Sequence, residues 1–400
     1  MTWLHSGAIA IAGMLHLEKE GLLPAVTATD ERHDTRVLKR MYGGERSRPA
    51  LPGDSSTLRM TGAPRQRYGP GSKAESQELI VMKVAFTSCM SVQVYPQQPV
   101  WDWIAAAQPD RLLLLGDSVY LDVEAPKPPR QMSNNEFAQH LHHRWSSQLA
   151  QKQFRALLAQ LGPGRTHAIW DDHDFLWDNA CGAAIRAQPP QSSKIPLSNA
   201  FFKAFRAALD APDGFPVAYT DPVFWNPQEP APATPSLQLE ADLWLHLSDG
   251  RSWRTETTFV AQDKRQLLGA AQRNKFGKAI AANPQALHLF ANGSTSKDWK
   301  NYPNDWEWLK AQAAQQRTLL LSGDVHHNDV DAFHTGGLPL HEVTSSGAAV
   351  RDAVVVGKKE QNHGMLEISA DTVEIRLFHK NVEQSELRRE LSRQSWLPVA

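Results

Sequence analysis

Cysteine is nearly absent: the 400 residues hold two, Cys89 and Cys181, and no CxxC pair. That excludes a disulfide framework and a zinc knuckle. An excess of one charge is missing too, since Lys+Arg 42 against Asp+Glu 43 leaves a net charge of −1. Affinity through broad neutralisation of a nucleic-acid backbone is therefore excluded. A small phosphorylated substrate is not, because it needs only a local site. No apolar run approaches the roughly 18 residues that span a bilayer, so no membrane span is expected. The GxSxG elbow, HExxH, GxxxxGK(S/T) and a GxGxxG after a strand are all lacking, as is any repeat with a period of about 20–50 residues.

Aromatic residues are missing from one region in particular. All 14 Phe lie at or after Phe86, and 12 of the 13 Trp lie at or after Trp101. Between Met41 and Gln77 there are 6 Gly and 4 Pro in 37 residues, too little apolar surface to offset the entropy of ordering. Residues 1–80 therefore read as a low-complexity or disordered extension, and 81–400 as the folded domain. Gly7–Leu15 (GAIAIAGML) faintly suggests the apolar part of a signal peptide, but no basic stretch and no twin arginine precede it. The expectation is a cytoplasmic chain without a conventional export signal. Met82 is a candidate natural start, which would make 1–81 an upstream extension.

What is present, 41% apolar and 21% charged residues, suffices for a large core. From residue 81 onward, strand and helix patterns alternate. Val81–Thr87, Leu112–Leu115, Thr166–Trp170, Leu287–Ala291, Thr318–Ser322 and His341–Val343 read as buried strands. Leu237–Leu247 alternates with period two and reads as one strand with a wet face. His363–Ile368 and Thr372–Phe378 form a hairpin around Ala370-Asp371. Helices are expected from Pro99 to Ala107, with Trp103 and Ile104 inward, and over Asn134–Leu161, Asn199–Leu209 and Lys264–Gln272. The sum is an α/β chain with mixed sheets covered by helices.

In open α/β sheets, ligands gather beyond the carboxyl ends of strands. Here the first strand runs into Ser88-Cys89, the second into Gly116-Asp117-Ser118-Val119-Tyr120, and the third into Asp171-Asp172-His173-Asp174. A later strand runs into Ser322-Gly323-Asp324-Val325-His326-His327. Carboxylates, imidazoles and a phenol at one edge describe a site for Fe, Mn, Zn or Ca. Carboxylates at that density repel one another unless cations compensate them. Each signal has a bland reading: Gly-Asp after a strand is commonly a turn, and a lone cysteine commonly a small buried hydrophobe. Four such strand ends in one chain favour the metal site. The histidines of Gln139–Trp145 (His140, His142, His143) read instead as a solvated or half-buried helix face.

The order of these blocks resembles the PhoD-like (alkaline phosphatase D) branch of the calcineurin-like metallophosphoesterases. The resemblance rests on FTSC at 86–89, PDRLLLLGDSVYLD at 109–122, WDDHDFLWDN at 170–179, SDGRSWR at 248–254, SGDVHHNDV at 322–330 and EVTSSG at 342–347. It covers about three-quarters of the chain. It implies an αββα four-layer metallophosphatase sandwich with two or more metal ions at one edge, Fe3+ with Ca2+ by family, Mn2+ or Zn2+ otherwise. By motif, Asp117 bridges the metals, Tyr120 and Cys89 are ligands, and Asp172 binds the second metal. Asp324 and His326 complete the metal shell. His173 protonates the leaving group or orients substrate, and Asn179 and Arg251 stand behind the metals or contact phosphate. Catalytic roles thus fall to His173, Asp172 and Arg251.

The implied function is metal-dependent hydrolysis of phosphate esters by a metal-activated hydroxide, as phosphomonoesterase, phosphodiesterase or both. The alternatives are a diesterase for nucleotides or lipid head groups, and a metal-binding scaffold without turnover. Trp177, Trp253, Trp299, Trp306 and Trp308 could line an aromatic platform or simply fill core and rim. The sequence departs from the family pattern at His327, at Asp174 in place of the commoner Glu, and at Gly347-Ala348 where proline is frequent. Oligomeric state is left open.

Overall fold

Short apolar runs become strands buried on both faces, and in this chain they build two stacked sheets. A computed structural model describes residues 82–215, 219–220, 224, 231–351 and 359–399. The extension expected over 1–80, and with it Met82 as a start, fall at or beyond the edge of the described residues. β1 (Met82–Thr87) pairs in parallel with β2 (Arg111–Leu115), and β2 with β3 (Thr166–Ile169). Between β1 and β2 lies α1 (Val100–Ala106); α2 (Asn134–Ala150) and α3 (Lys152–Leu161) precede β3. After β3 come α4 (Asp172–Phe175), α5 (Gly182–Arg186) and α6 (Lys194–Ala208).

The second sheet begins with β4 (Ser236–Glu240) and β5 (Leu243–Leu247). It continues through α7 (Ala270–Ala281), β6 (Leu287–Ala291), α8 (Ser296–Trp299), α9 (Pro303–Ala313), β7 (Thr318–Ser322), β8 (Asn328–Phe333) and β9 (Leu340–Ser345). A two-strand ribbon, β10 (Val350–Arg351) with β11 (Lys359–Glu360), leads to β12 (Asn362–Ile368), β13 (Thr372–His379), β14 (Val382–Glu383) and β15 (Arg389–Ser392). These last four return to the first sheet, ordered β14-β13-β12-β1-β2-β3 with β15 also on β13; the second runs β4-β5-β6-β7-β9-β8.

Alternation along each strand sorts side chains into layers. Val84, Phe86, Leu113 and Leu115 of the first sheet meet Leu245, Leu289, Leu319 and Val343 of the second. On the outer face of the first sheet, Ala85, Leu112 and Leu114 pack under Trp101, Phe137, Leu141, Trp145 and Phe205. On the outer face of the second, Phe290, Leu320 and Leu340 pack under Phe276, Trp299, Trp306 and Leu309. Each such buried side chain contributes about 1.5–3 kcal/mol. The result is the expected αββα sandwich.

Several elements differ from the sequence reading. Asn134–Leu161 is two helices, because Gln151 takes an extended ψ of 122° and its side chain accepts the N–H of Phe154, starting α3 afresh. Leu237–Leu247 is a hairpin turning at Ala241-Asp242, not one strand. The helix expected over Lys264–Gln272 starts only at Ala270, after Gly269 at φ 82°. In α1 it is Trp101 with Ile104 that is fully buried, and Trp103 lies part-way out. The polar β8 gave no periodic signal and forms because β9 supplies its ladder. Among the tryptophans, Trp299 and Trp306 are core, while Trp253 is 39% exposed beneath Arg186. No described helix is long and apolar enough to cross a membrane.

Candidate metal centre

Parallel pairing makes β1, β2 and β3 end on one edge, and β5, β6, β7 and β9 do the same in their sheet. The loops leaving those ends carry the acidic residues. To turn sharply off the strands, five non-glycine residues adopt left-handed backbone: Cys89 at φ 61°, Asp117 at 50°, Asn179 at 56°, Asp324 at 73° and His326 at 56°. Asn, Asp and His tolerate this region better than most; for Cys89 it stores strain of about 1–3 kcal/mol. These are five of the ten described non-glycine residues with positive φ, and their meeting on loops that carry acidic side chains points to a site.

The side chains converge tightly. Asp117, Asp172 and His173 offer ligand atoms all within 4.8 Å of one another, and so do Asp117, Asp171, Asp172 and Asp324. Asp117 and Asp172 belong to both groups. Around them, Cys89 Sγ lies 3.5 Å from Asp117 Oδ2 and accepts from Ser346 Oγ at 3.2 Å. Tyr120 Oη is 3.1 Å from His326 Nε2, and its ring lies 4.2 Å from that of His173. The Asn179 N–H, rather than its side chain, donates to Asp172 Oδ2 at 2.6 Å. Arg251, 2% exposed, donates through Nε to Asp171 and sets Nη2 3.4 Å from Asp172 Oδ1. Among the described residues, the set singled out by sequence is therefore brought to one place.

Two residues of this place were not assigned by sequence. Asp171 enters the acidic group directly. Asp122 receives His173 Nδ1 at 2.6 Å and the Asp178 N–H at 2.7 Å. The signal for Asp171 was its adjacency to Asp172 on an exit loop; Asp122 closes the 109–122 block, but its contact with His173, 51 residues away, is not written there. His140 is also reassigned: it is 7% exposed and bonded to the Leu121 carbonyl at 2.7 Å, not solvated.

Crowding shapes the protonation. Burial, then Cys89 nearby, pushes Asp117 well above the usual carboxylate range. Burial raises Asp171 as well, and takes Asp324 up to about 7 with Asp171 and Asp172 adding to it. Asp172 is the exception: burial is outweighed by Arg251, His173 and the Asn179 N–H, which hold it below its ordinary value. His173 is buried, yet Asp117, the Asp122 hydrogen bond and Asp172 raise it to about 10. Asp171 Oδ2 and Asp172 Oδ1 are buried without a hydrogen-bond partner. Buried carboxylate oxygens without a hydrogen bond, set among other carboxylates, fit a bound cation, because added positive charge offsets both their desolvation and their mutual repulsion. Hard oxygens with imidazole suit Fe, Mn, Zn or Ca.

Close backbone approach keeps the cluster tight. A Cβ on Gly116 (φ 100°) would fall 2.6 Å from Asp171 Cβ, and one on Gly293, in the loop after β6, would run into the Asp171 carboxyl group.

By sequence, no protein-family model and no curated protein matches the chain. By structure, PhoD superimposes with a TM-score of 0.53 at 14% identity, covering 80% of this chain and 72% of that one. The chain shares the fold of PhoD. Weaker overlaps include YfcE, a phosphoesterase from E. coli, with a TM-score of 0.24 at 10% identity, covering 80% of this chain and 97% of that one. Another is Vps29 with Zn2+ from Entamoeba histolytica, with a TM-score of 0.31 at 9% identity, covering 78% of this chain and 99% of that one. The fold is read from PhoD alone, and a fold by itself does not assign a reaction.

Proposed function

We propose that the chain is a metal-dependent hydrolase of phosphate esters. The observation that carries this reading is the pair of overlapping ligand groups, Asp117-Asp172-His173 and Asp117-Asp171-Asp172-Asp324, with two carboxylate oxygens buried without a hydrogen bond. Asp117, Asp171, Asp172 and Asp324 would hold the metal ions, with Cys89, Tyr120 and His326 around them. Bound there, a metal pair supplies positive charge for the phosphoryl oxygens and lowers the pKa of a water molecule.

The remaining work falls to the chain. Arg251 spends Nε and Nη2 on Asp171 and Asp172, which opposes the effect of burial on Asp171 and holds Asp172 below its ordinary value; Nη1, without a hydrogen-bond partner, is its only nitrogen left for phosphate. Asp122 engages His173 Nδ1, so Nε2 is the nitrogen left to give a proton to the leaving oxygen. Such a general acid contributes about 10²–10⁴-fold. A cavity of about 400 Å³ lined by Asp122, Arg130, Trp177 and Asp178 borders that side.

The test is hydrolysis of p-nitrophenyl phosphate beside bis-p-nitrophenyl phosphate by the purified full-length chain, with Mn2+, Zn2+, Fe and Ca2+ added singly. Metal-dependent turnover is expected, with Asp117→Asn and Asp172→Asn each losing at least about 10²-fold while remaining folded. The preferred ester then decides between monoesterase and diesterase. Full turnover in either variant, or silence on both esters by metal-loaded protein, overturns the reading.

A further inference from the structure

Helix α2 carries His140 and Arg144 one turn apart, on the same side of the helix. His140 is 7% exposed and Arg144 2% exposed, so both have left water. Their hydrogen bonds fall on either side of one residue. His140 Nε2 donates to the Leu121 carbonyl at 2.7 Å, and Arg144 Nη2 donates to the Val123 carbonyl at 2.7 Å. The residue between is Asp122, whose Oδ1 receives His173 Nδ1 at 2.6 Å. We infer that His140 and Arg144 are positioning residues: a two-point clamp that orients the Asp122 carboxylate and, through it, the His173 ring. The inference rests on the phosphate-ester reading only for the consequence of that orientation, not for the clamp itself.

Packing does not call for these side chains. Arg144 Nε and Nη1 are buried with no hydrogen-bond partner, a cost that an apolar residue of similar length would avoid. The helix is already anchored. Phe137, Leu141 and Trp145 are fully buried in the core, and the Ser133–Glu136 capping box closes its start. What the pair adds is a fixed backbone on both flanks of Asp122, while the Asp178 N–H fixes its second oxygen at 2.7 Å. A backbone held on both flanks and a carboxylate held at its second oxygen present Oδ1 to the imidazole from one direction.

The experiment uses full-length protein with His140→Leu, His140→Gln, Arg144→Met and Arg144→Lys, and two readouts. The first is the proton of the His173 Nδ1–H···Oδ1 Asp122 bond by NMR, assigned by its loss in Asp122→Asn. It is expected to be sharp in the wild type, broadened or lost in His140→Leu and Arg144→Met, and restored in His140→Gln, which keeps a donor. The second is the ratio of kcat on a simple alkyl phosphate to kcat on p-nitrophenyl phosphate, whose stable leaving group needs little protonation. That ratio is expected to fall by about 10-fold or more in His140→Leu and Arg144→Met, with KM on both esters unchanged, because only the acid step weakens. Equal loss on both esters, or an unaltered Nδ1–H signal in both apolar variants, overturns the clamp. Should the wild type hydrolyse neither ester, the hydrolase reading fails and the NMR signal still decides the clamp. If Arg144→Met does not fold, the His140 pair carries the same comparison.

Discussion

Removing Arg251 tests the electrostatic balance of the site most directly. The guanidinium is 2% exposed, bonded through Nε to Asp171 and 3.4 Å from Asp172 Oδ1 through Nη2. Two unit charges about 4 Å apart at an effective dielectric of about 20 attract by roughly 4 kcal/mol. Deleting one partner of a buried pair costs about 3–5 kcal/mol, since the survivor stays desolvated. In Arg251→Met, four clustered carboxylates would lose the cation bonded to Asp171 and Asp172, leaving His173 and the more distant Arg254. Urea unfolding in chelator at pH 8 should therefore show a loss of about 3–5 kcal/mol. Saturating Mn2+ should recover a large part, because a ligand at about 100 times its Kd stabilises by about 2.7 kcal/mol. The sign with pH follows from linkage. Carboxylates whose folded pKa is raised above the unfolded value lose stability as pH rises through that range, so the deficit in chelator should shrink toward pH 5. A loss below about 1 kcal/mol, or the same loss with and without Mn2+, would refute the reasoning, since either would mean that Arg251 and a cation do not compensate the same charges.

Two further outcomes are expected. Gly293→Ala places a methyl group against the Asp171 carboxyl and should weaken metal binding by about 10–100-fold, measured by calorimetry on the intact protein. An affinity within about 2-fold of wild type would show that Asp171 need not hold its position. His363 is 2% exposed, its Nδ1 has no partner, its ring stacks on Phe378 at 4.7 Å, and burial lowers its pKa to about 4. Because its folded pKa lies below the unfolded value, stability is lost as pH falls below about 6.5. His363→Phe should remove that loss, up to about 3 kcal/mol near pH 4, and flatten the acid limb of the melting curve; an acid limb as steep as that of wild type would count against it.

How far the molecule was legible follows from how local each signal is. Apolar runs such as Leu112–Leu115 and Thr318–Ser322 read as buried strands, because runs this short, bounded by turn residues, suit a strand buried on both faces better than a helix. The acids that follow them were legible for the same reason: position at a strand exit is a property of the chain alone. Asp117, Asp172, His173, Asp324 and the exit-loop Cys89 were all found that way. Hairpins and helix starts were read less well. The turn at Ala241-Asp242 and the break at Gln151 carry no glycine or proline, so the usual chain-breaking residue is missing although each is closed locally, Glu240 against Leu243 and Gln151 on the Phe154 N–H.

Composition and pattern therefore determined, by themselves, that this chain builds mixed sheets under helices and delivers acidic loops to strand ends. Only the tertiary structure decided which loops share an edge, and so brought Asp171, Arg251 and Gly293 into the cluster from three different strand exits. It alone also showed that His140 and Arg144, on a segment read as a solvated or half-buried helix face, bond to the carbonyls on either side of Asp122. The physical reason is range. Burial patterns are written in neighbouring residues, whereas a carboxylate's partner is set by where two sheets stack, and nothing in the local chain records that distance.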